Sequence, residues 1–286
     1  MVSLKAYAKL NLCLSVLKKR DDGFHDLKSL IQTVDVFDRV NVQINNTGTV
    51  KVSMDTPDAI QMQKNSAYIA AKSFFEVLGL QDGADIYIQK NIPFCSGMGG
   101  SSADASGVIA ALSAIYNINH TDNRVRLAAS KTGSDTVALL LGGLTKLTGK
   151  GDDVQMIDDA PKLIFVVALN NEGALTKTVF NQFDKLDGSF DHTRFDRVLE
   201  NLNKNVENYI YNDLTEACLA AYPSQKKFVK DCYNAVKKMP TMTGSGSALF
   251  WIAKDELDAQ NLCRLITKNK IKAFICRSVP FGFKIF

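Results

Sequence analysis

Between residues 86 and 116 the chain changes character twice, and the order of the changes limits what it can fold into. Ile86 and Ile88 alternate with polar neighbours as in a strand, which Ile92-Pro93 closes. GMGGSS follows at 97–102, three glycines and two serines, and then Ala105, Val108, Ile109, Leu112, Ile115 and Tyr116 recur at helical spacing. The segment reads as strand, bare loop and helix start. The first turn of a helix leaves amide donors without partners and carries the positive end of the macrodipole. A glycine-lined approach to it therefore makes a cradle for an anion, phosphate above all. Glycine lets an oxygen reach the backbone, while the hydroxyls of Ser101 and Ser102 can donate to it or join a magnesium shell.

Taken alone, a glycine-rich loop is more often a tight turn than a phosphate site. Two common templates do not fit this one. No lysine precedes Ser101 as the Walker loop requires, and Ser102 stands where the dinucleotide fingerprint needs its third glycine.

Elsewhere, Leu10, Leu12, Leu14 and Val16 alternate with Asn11, Cys13 and Ser15, the pattern of a half-buried strand, and DDGFH at 21–25 turns the chain. Alternation resumes at Val40, Val42 and Ile44 and at Val50, Val52 and Met54. Ala67, Ala70, Ala71, Phe74, Phe75 and Leu78 form one apolar stripe of a helix that is predicted to stop at Gly79. KLIFVVAL at 162–169 reads as a buried strand, the polar stretch near 181–195 as a loop, and 213–221 and 225–238 as helices. A second cluster, Gly244 to Ser247, precedes the strand-like ALFWIA, and a helix near 255–268 and a strand near 273–279 complete the order. Strands and helices do not alternate regularly enough for a doubly wound sheet. The pattern favours two α+β domains, 1–150 and 151–286, divided near Gly149-Lys150-Gly151.

With 46% hydrophobic residues in 286, the composition is that of a globular protein. The net charge of +4 comes from short, scattered basic clusters, so no nucleic-acid partner is expected. Apolar runs such as VALLLGGL are too short to span a membrane, and Lys5, Lys9 and Asn11 interrupt the N-terminal run where a signal peptide would be unbroken. Six cysteines without a C-x-x-C pair suggest neither zinc nor disulfides, and a reducing cytoplasm is the expected location. His25, His120 and His192 show no ligand spacing, so no protein-built metal site is expected.

Pro93 to Ala103, Pro-x-x-x-Gly-Met-Gly-Gly-Ser-Ser-Ala, resembles the phosphate-binding motif of the GHMP kinases, with Met98 in place of the usual leucine. AYAKLNLCL (6–14), DDGFH (21–25), KTGSDTVALL (131–140), NDLTEACLAAYP (212–223) and MTGSGSALF (242–250) resemble, in order, motifs of the branch that phosphorylates 4-diphosphocytidyl-2-C-methyl-D-erythritol. Phe24 replaces the usual tyrosine, Thr136 and Val137 follow Asp135 without the usual proline, and Ser247 stands where the third motif has proline. The resemblance implies the two-domain GHMP kinase fold: an N-terminal domain like ribosomal protein S5 domain 2, a ferredoxin-like α+β C-terminal domain, and an active site in the cleft between them. It also implies ATP as donor, Mg2+ carried with the nucleotide, a small-molecule substrate bearing cytidine diphosphate, and a monomer or homodimer. Another acceptor, as in homoserine or mevalonate kinases, and an inactive nucleotide-binding relative are the alternatives.

Each residue the resemblance singles out also has a plainer reading. Asp135, ahead of an apolar run, could simply cap a helix; the resemblance makes it the general base for the substrate hydroxyl. Lys9 could snorkel to the surface; the resemblance pairs it with Asp135 and makes it a stabiliser of charge on the attacking oxygen. Asn11, on the same strand face, would orient the acceptor. Phe24 would stack on the pyrimidine with Phe180 on its other face, although core packing is as good a reading of Phe180. Neutral His25, with Asn11 and Thr176, would read the cytosine. Pro93, Gly97, Met98, Gly99, Gly100, Ser101 and Ser102 would hold the triphosphate, and Gly244, Ser245 and Gly246 would face them across the cleft. Nothing marks the Cys95 thiol as activated.

Overall fold

A computed structural model describes residues 1–56, 62–149, 151, 153–186, 191 and 193–286. His192, and Lys150 at the expected domain division, lie outside the described residues. The spine is a long antiparallel hairpin of β1 (Val2–Lys19) and β2 (His25–Asn45), turned at 20–24. Each strand is long enough to take different neighbours at its two ends. β2 pairs with β4 (Gly83–Gln89) from Arg39 onward and with β5 (Leu144–Gly149) over residues 27–32. β3 (Val50–Met54) runs parallel to β4, and β6 (Asp153–Met156) pairs with β5. Irregularities in register after Tyr7, Asn11 and Val16 bend the hairpin, the usual consequence of bulges.

A second, four-stranded antiparallel sheet holds β7 (Ile164–Leu169), β9 (Thr241–Met242), β10 (Leu249–Ala253) and β11 (Lys272–Arg277) in the order β11-β7-β10-β9. Alternate residues of its strands enter different cores. Phe165, Val167, Phe250 and Ile252 join the large core under the first sheet, whereas Val166, Ala168, Leu249 and Trp251 join the second core with Leu14 and Val16 of β1. Both faces are covered, which is why KLIFVVAL reads as an unbroken apolar run. β8 (Tyr211–Asn212) and β12 (Phe283–Ile285) add to β1. Strands β6, β8 and β12 thus belong to the first sheet although they follow residue 150 in sequence.

Helix α1 (Ser66–Leu78) is capped by the Asn65 side chain and stops at Gly79 in the left-handed region, φ 68°. Helix α2 (Gly100–Ile115) is buried continuously from Ala103 to Ser113, so it is covered all round rather than along one stripe. The remaining helices are α3 (Asn123–Ser130), α4 (Thr136–Leu141), α5 (Thr176–Phe183), α6 (Thr193–Glu200), α7 (Thr215–Ala221), α8 (Pro223–Val236) and α9 (Glu256–Lys268). No helix among the described residues is long and apolar enough to cross a membrane.

Two expectations need correction. The stretch near 181–195 is not wholly loop: α5 runs to Phe183, and α6 begins at Thr193 because Phe195 and Val198, three apart, are buried on one face. β1 is not half-buried either. Tyr7 to Val16 is buried on both faces, and Lys9, Asn11 and Ser15 are covered by elements remote in sequence.

Helix α2 lies close to the hairpin because Gly107 faces it. A Cβ there would stand 3.0 Å from Ala6 Cβ and from Val40 Cγ2 and 3.2 Å from Leu4 Cδ1. Gly107→Leu is expected to lower stability by about 1–3 kcal/mol through overpacking, read from the denaturant midpoint. An unchanged midpoint would contradict this close contact.

Candidate active site

Lys9 sits where β1 passes under the glycine loop. Its side chain is 3% exposed, and its Nζ lies 3.2 Å from Oδ2 of Asp135 and donates to Asn11 Oδ1 at 2.6 Å. An ammonium this deep needs charge-assisted partners, and it has them. Asp135 does occupy the N-cap position of α4, but its side chain makes no capping bond. The carboxylate is therefore left for Lys9. Asn11 has further partners: its carbonyl oxygen also accepts the Gly244 N–H at 2.9 Å, and its amide donates to Ser29 Oγ at 2.9 Å. Its contacts make it the residue that positions the ammonium.

Two glycines wall in that ammonium. A Cβ on Gly99, which has φ +77°, would stand 3.0 Å from Lys9 Cγ, and one on Gly244, at φ +55°, would stand 3.1 Å from Lys9 Nζ. Any larger residue at either position would meet both backbone strain and the lysine. The two glycine clusters are also tied together directly. Ala248 N–H donates to Ser96 O at 3.0 Å, Ser247 N–H to Cys95 O at 3.3 Å, and Thr243 Oγ1 to Gly97 O at 3.3 Å. Lys9 N–H donates to Met98 O at 3.0 Å, and the Met98 side chain is fully buried, plugging the loop into the core.

Helix α2 starts with Gly99 at its N-cap, and no side chain caps it. Its first turn faces a cavity of about 910 Å³, large by the standard of small-molecule sites. Lys9, Asn11, Asp135, Pro93 and Gly97 to Ser102 line that cavity together with Gly244, Ser245 and Gly246, and Phe24, His25, Thr176 and Phe180 line it too. Ser247 is buried, and its carbonyl accepts from Gln225. Thr176 Oγ1 lies 2.9 Å from Ser245 Oγ. Phe24 is 63% exposed at the hairpin turn, and the ring that Phe180 meets is that of His25, at 5.5 Å between centroids and tilted by 35°.

The structure brings further residues to the cavity that sequence reasoning missed. Lys19 and His25 both contact Asp184, His25 through Nε2 at 2.8 Å. Lys90 is held between two carboxylates, Asp38 and, at 2.6 Å, Asp104 Oδ2. Asp38 Oδ1 accepts the amides of Asn91 and Ile92 at 2.5 and 2.8 Å, whereas Asp104 Oδ1 is buried without a hydrogen-bond partner. A carboxylate between Ala103 and Ala105 in a buried helix was the available signal for a buried counter-charge. Nothing comparable marks Asp184.

Residues 65–143 match the family model for the GHMP kinases N terminal domain. A 4-diphosphocytidyl-2-C-methyl-D-erythritol kinase of Caldicellulosiruptor saccharolyticus is 33% identical over 276 residues, 95% of this chain and 93% of that one. The enzyme of that name from Clostridium botulinum strain Alaska E43 is 32% identical over 97% of this chain and 100% of its own. A crystal structure of 4-(cytidine 5'-diphospho)-2C-methyl-D-erythritol kinase superposes with TM-score 0.75 at 26% identity, covering 97% of this chain and 99% of that one. Homoserine kinase from Cytophaga hutchinsonii, 19% identical, shares the fold at TM-score 0.74 over 100% of this chain and 97% of its own.

Burial pushes Asp104 up to about 8, against the pull of Lys90 and with the charge of Asp38 adding to the rise. Between the ordinary carboxylate range and that value, the folded protein keeps a proton that the unfolded chain has released. Stability from this group therefore falls as pH rises through the window. Asp104→Asn, never charged and leaving Lys90 paired with Asp38, is expected to gain on the parent as pH rises from about 4 to about 8, by ~1 kcal/mol or more at the top. Chemical denaturation at both ends of that range checks it, and a difference independent of pH would count against the assignment.

Proposed function

The chain belongs to the 4-diphosphocytidyl-2-C-methyl-D-erythritol kinases, within the GHMP kinases, and from that premise we propose that it transfers the γ-phosphoryl group of ATP to the 2-hydroxyl of that cytidine-bearing alcohol, a step of the non-mevalonate route to isoprenoid precursors. The observation that carries the reading is the 3.2 Å Lys9–Asp135 pair, set beside an uncapped helix N-terminus in one cavity.

The roles follow from what phosphoryl transfer requires. The attacking hydroxyl loses its proton as the bond to phosphorus forms, and Asp135, 28% exposed and the half of the pair with solvent access, accepts it. Lys9 stabilises negative charge on the attacking oxygen from a position already fixed by Asn11 and the two glycines, so little reorganisation is needed during the reaction. The amides of the loop and the first turn of α2 meet the phosphate oxygens. Mg2+ is assigned to the nucleotide, where it would supply charge neutralisation of the phosphates. Ser101 and Ser102, which both line the cavity beside the first turn of α2, are the hydroxyls that would join its shell. At another part of the cavity Phe24, His25, Thr176 and Phe180 take the cytidine.

ADP release, measured with ATP and a panel of alcohols that includes the cytidine substrate, tests the reading; preference for a different acceptor would overturn it. Asp135→Asn is expected to cut kcat by about 10³-fold or more while ATP affinity stays within about twofold. Retained turnover would remove Asp135 as the base. Phe180→Ala is expected to raise KM for the cytidine substrate about tenfold with little change in KM for ATP, the loss of one stacking contact.

A further inference from the structure

Asp184 stands one residue past α5 at the cavity, and no step above uses it. Its Oδ1 lies 2.8 Å from Nε2 of His25, and its Oδ2 accepts from the ammonium of Lys19. The His25 side chain is only 6% exposed and is bounded by the rings of Phe180, at 5.5 Å, and Phe183, at 5.9 Å and edge-on. The hydrogen bond from Lys19 holds the Asp184 carboxyl below its ordinary range, against partial burial and with the help of His25. An ionised carboxylate only accepts, so the hydrogen between the two residues belongs to Nε2. In the neutral ring the remaining polar atom, Nδ1, then carries a lone pair.

We propose that Asp184 is a positioning residue for base recognition: by taking the Nε2 hydrogen of His25 it makes Nδ1 an acceptor, which suits the exocyclic amine of cytosine and opposes the oxygen that uracil carries in its place. The proposal rests on the cytidine reading above and deepens it. The alternative is a structural strap, because Lys19 ends β1, His25 begins β2, and Asp184 ties both to α5.

Steady-state kinetics of full-length Asp184→Ala and Asp184→Asn, with the cytidine substrate and its uridine counterpart and with ATP varied separately, distinguish the two. D184A is expected to raise KM for the cytidine substrate about tenfold, the loss of one hydrogen bond between His25 and the base, and to shrink the cytidine-over-uridine preference by a similar factor. Its kcat and its KM for ATP are expected to stay within about twofold of the parent values. D184N, whose carboxamide oxygen still accepts the Nε2 hydrogen, keeps most of the preference. An unchanged preference in D184A, or equal losses in kcat and both KM values in the two variants, would overturn the proposal in favour of a strap. Equal loss of preference in D184N would overturn it as well, since charge rather than the accepted hydrogen would then be responsible. Failure of the parent enzyme to use the cytidine substrate at all would remove both the proposal and the reading beneath it, and that outcome is visible before any variant is made.

Discussion

The site is organised around one buried ammonium. Removing a lysine from water costs several kcal/mol unless its charge is met at close range, and Lys9 is 3% exposed. That cost is offset by Asn11, two residues along its own strand, and by Asp135 at the head of α4, while the backbone folds so tightly around the ammonium that a Cβ at 99 or 244 would meet the lysine. Neither Asn11 nor Asp135 can shift without leaving the ammonium less compensated. The same groups that make the burial tolerable are the ones phosphoryl transfer needs, a carboxylate and an ammonium already fixed in relative position.

The fold supplies this convergence through the length of its hairpin. β1 and β2 are long enough to serve both cores, so Leu4, Leu10 and Leu12 pack in one while Leu14 and Val16 pack in the other. Lys9 and Asn11 fall between these ends, where the loop before α2 and the loop between β9 and β10 meet over the strand through backbone hydrogen bonds. A nearly all-buried α2 then fixes its own N-terminus, because a helix packed on every side cannot rotate or slide to follow a ligand.

Around the central pair lie two further charge clusters with different exposure, and hence different strength. Lys90 between Asp38 and Asp104 is almost fully buried, one ammonium against two carboxyl groups, and burial with the Asp38 charge beside it favours the protonated form of Asp104. Asp184 with Lys19 and His25 is open on the lysine side, where water screens the ion pair, so its value lies in orienting the imidazole more than in stability.

Much of this was legible in sequence because it depends on local rules. Strand, glycine loop and helix at 86–116 follow from periodicity, the stop at Gly79 from a residue that tolerates positive φ, and the buried run of β7 from covering on both faces. The GHMP motifs named Lys9, Asp135 and the glycine clusters. What the sequence did not contain was depth and partnership. It suggested that β1 was half-buried, left α6 inside a loop, and was silent on Asp38, Lys90, Asp104 and Asp184. Periodicity records which side of an element is apolar but not what covers its polar side. The pairing of charges tens to hundreds of residues apart is decided only when the chain closes on itself, because Coulomb attraction acts over a few ångströms of space and takes no account of distance along the chain.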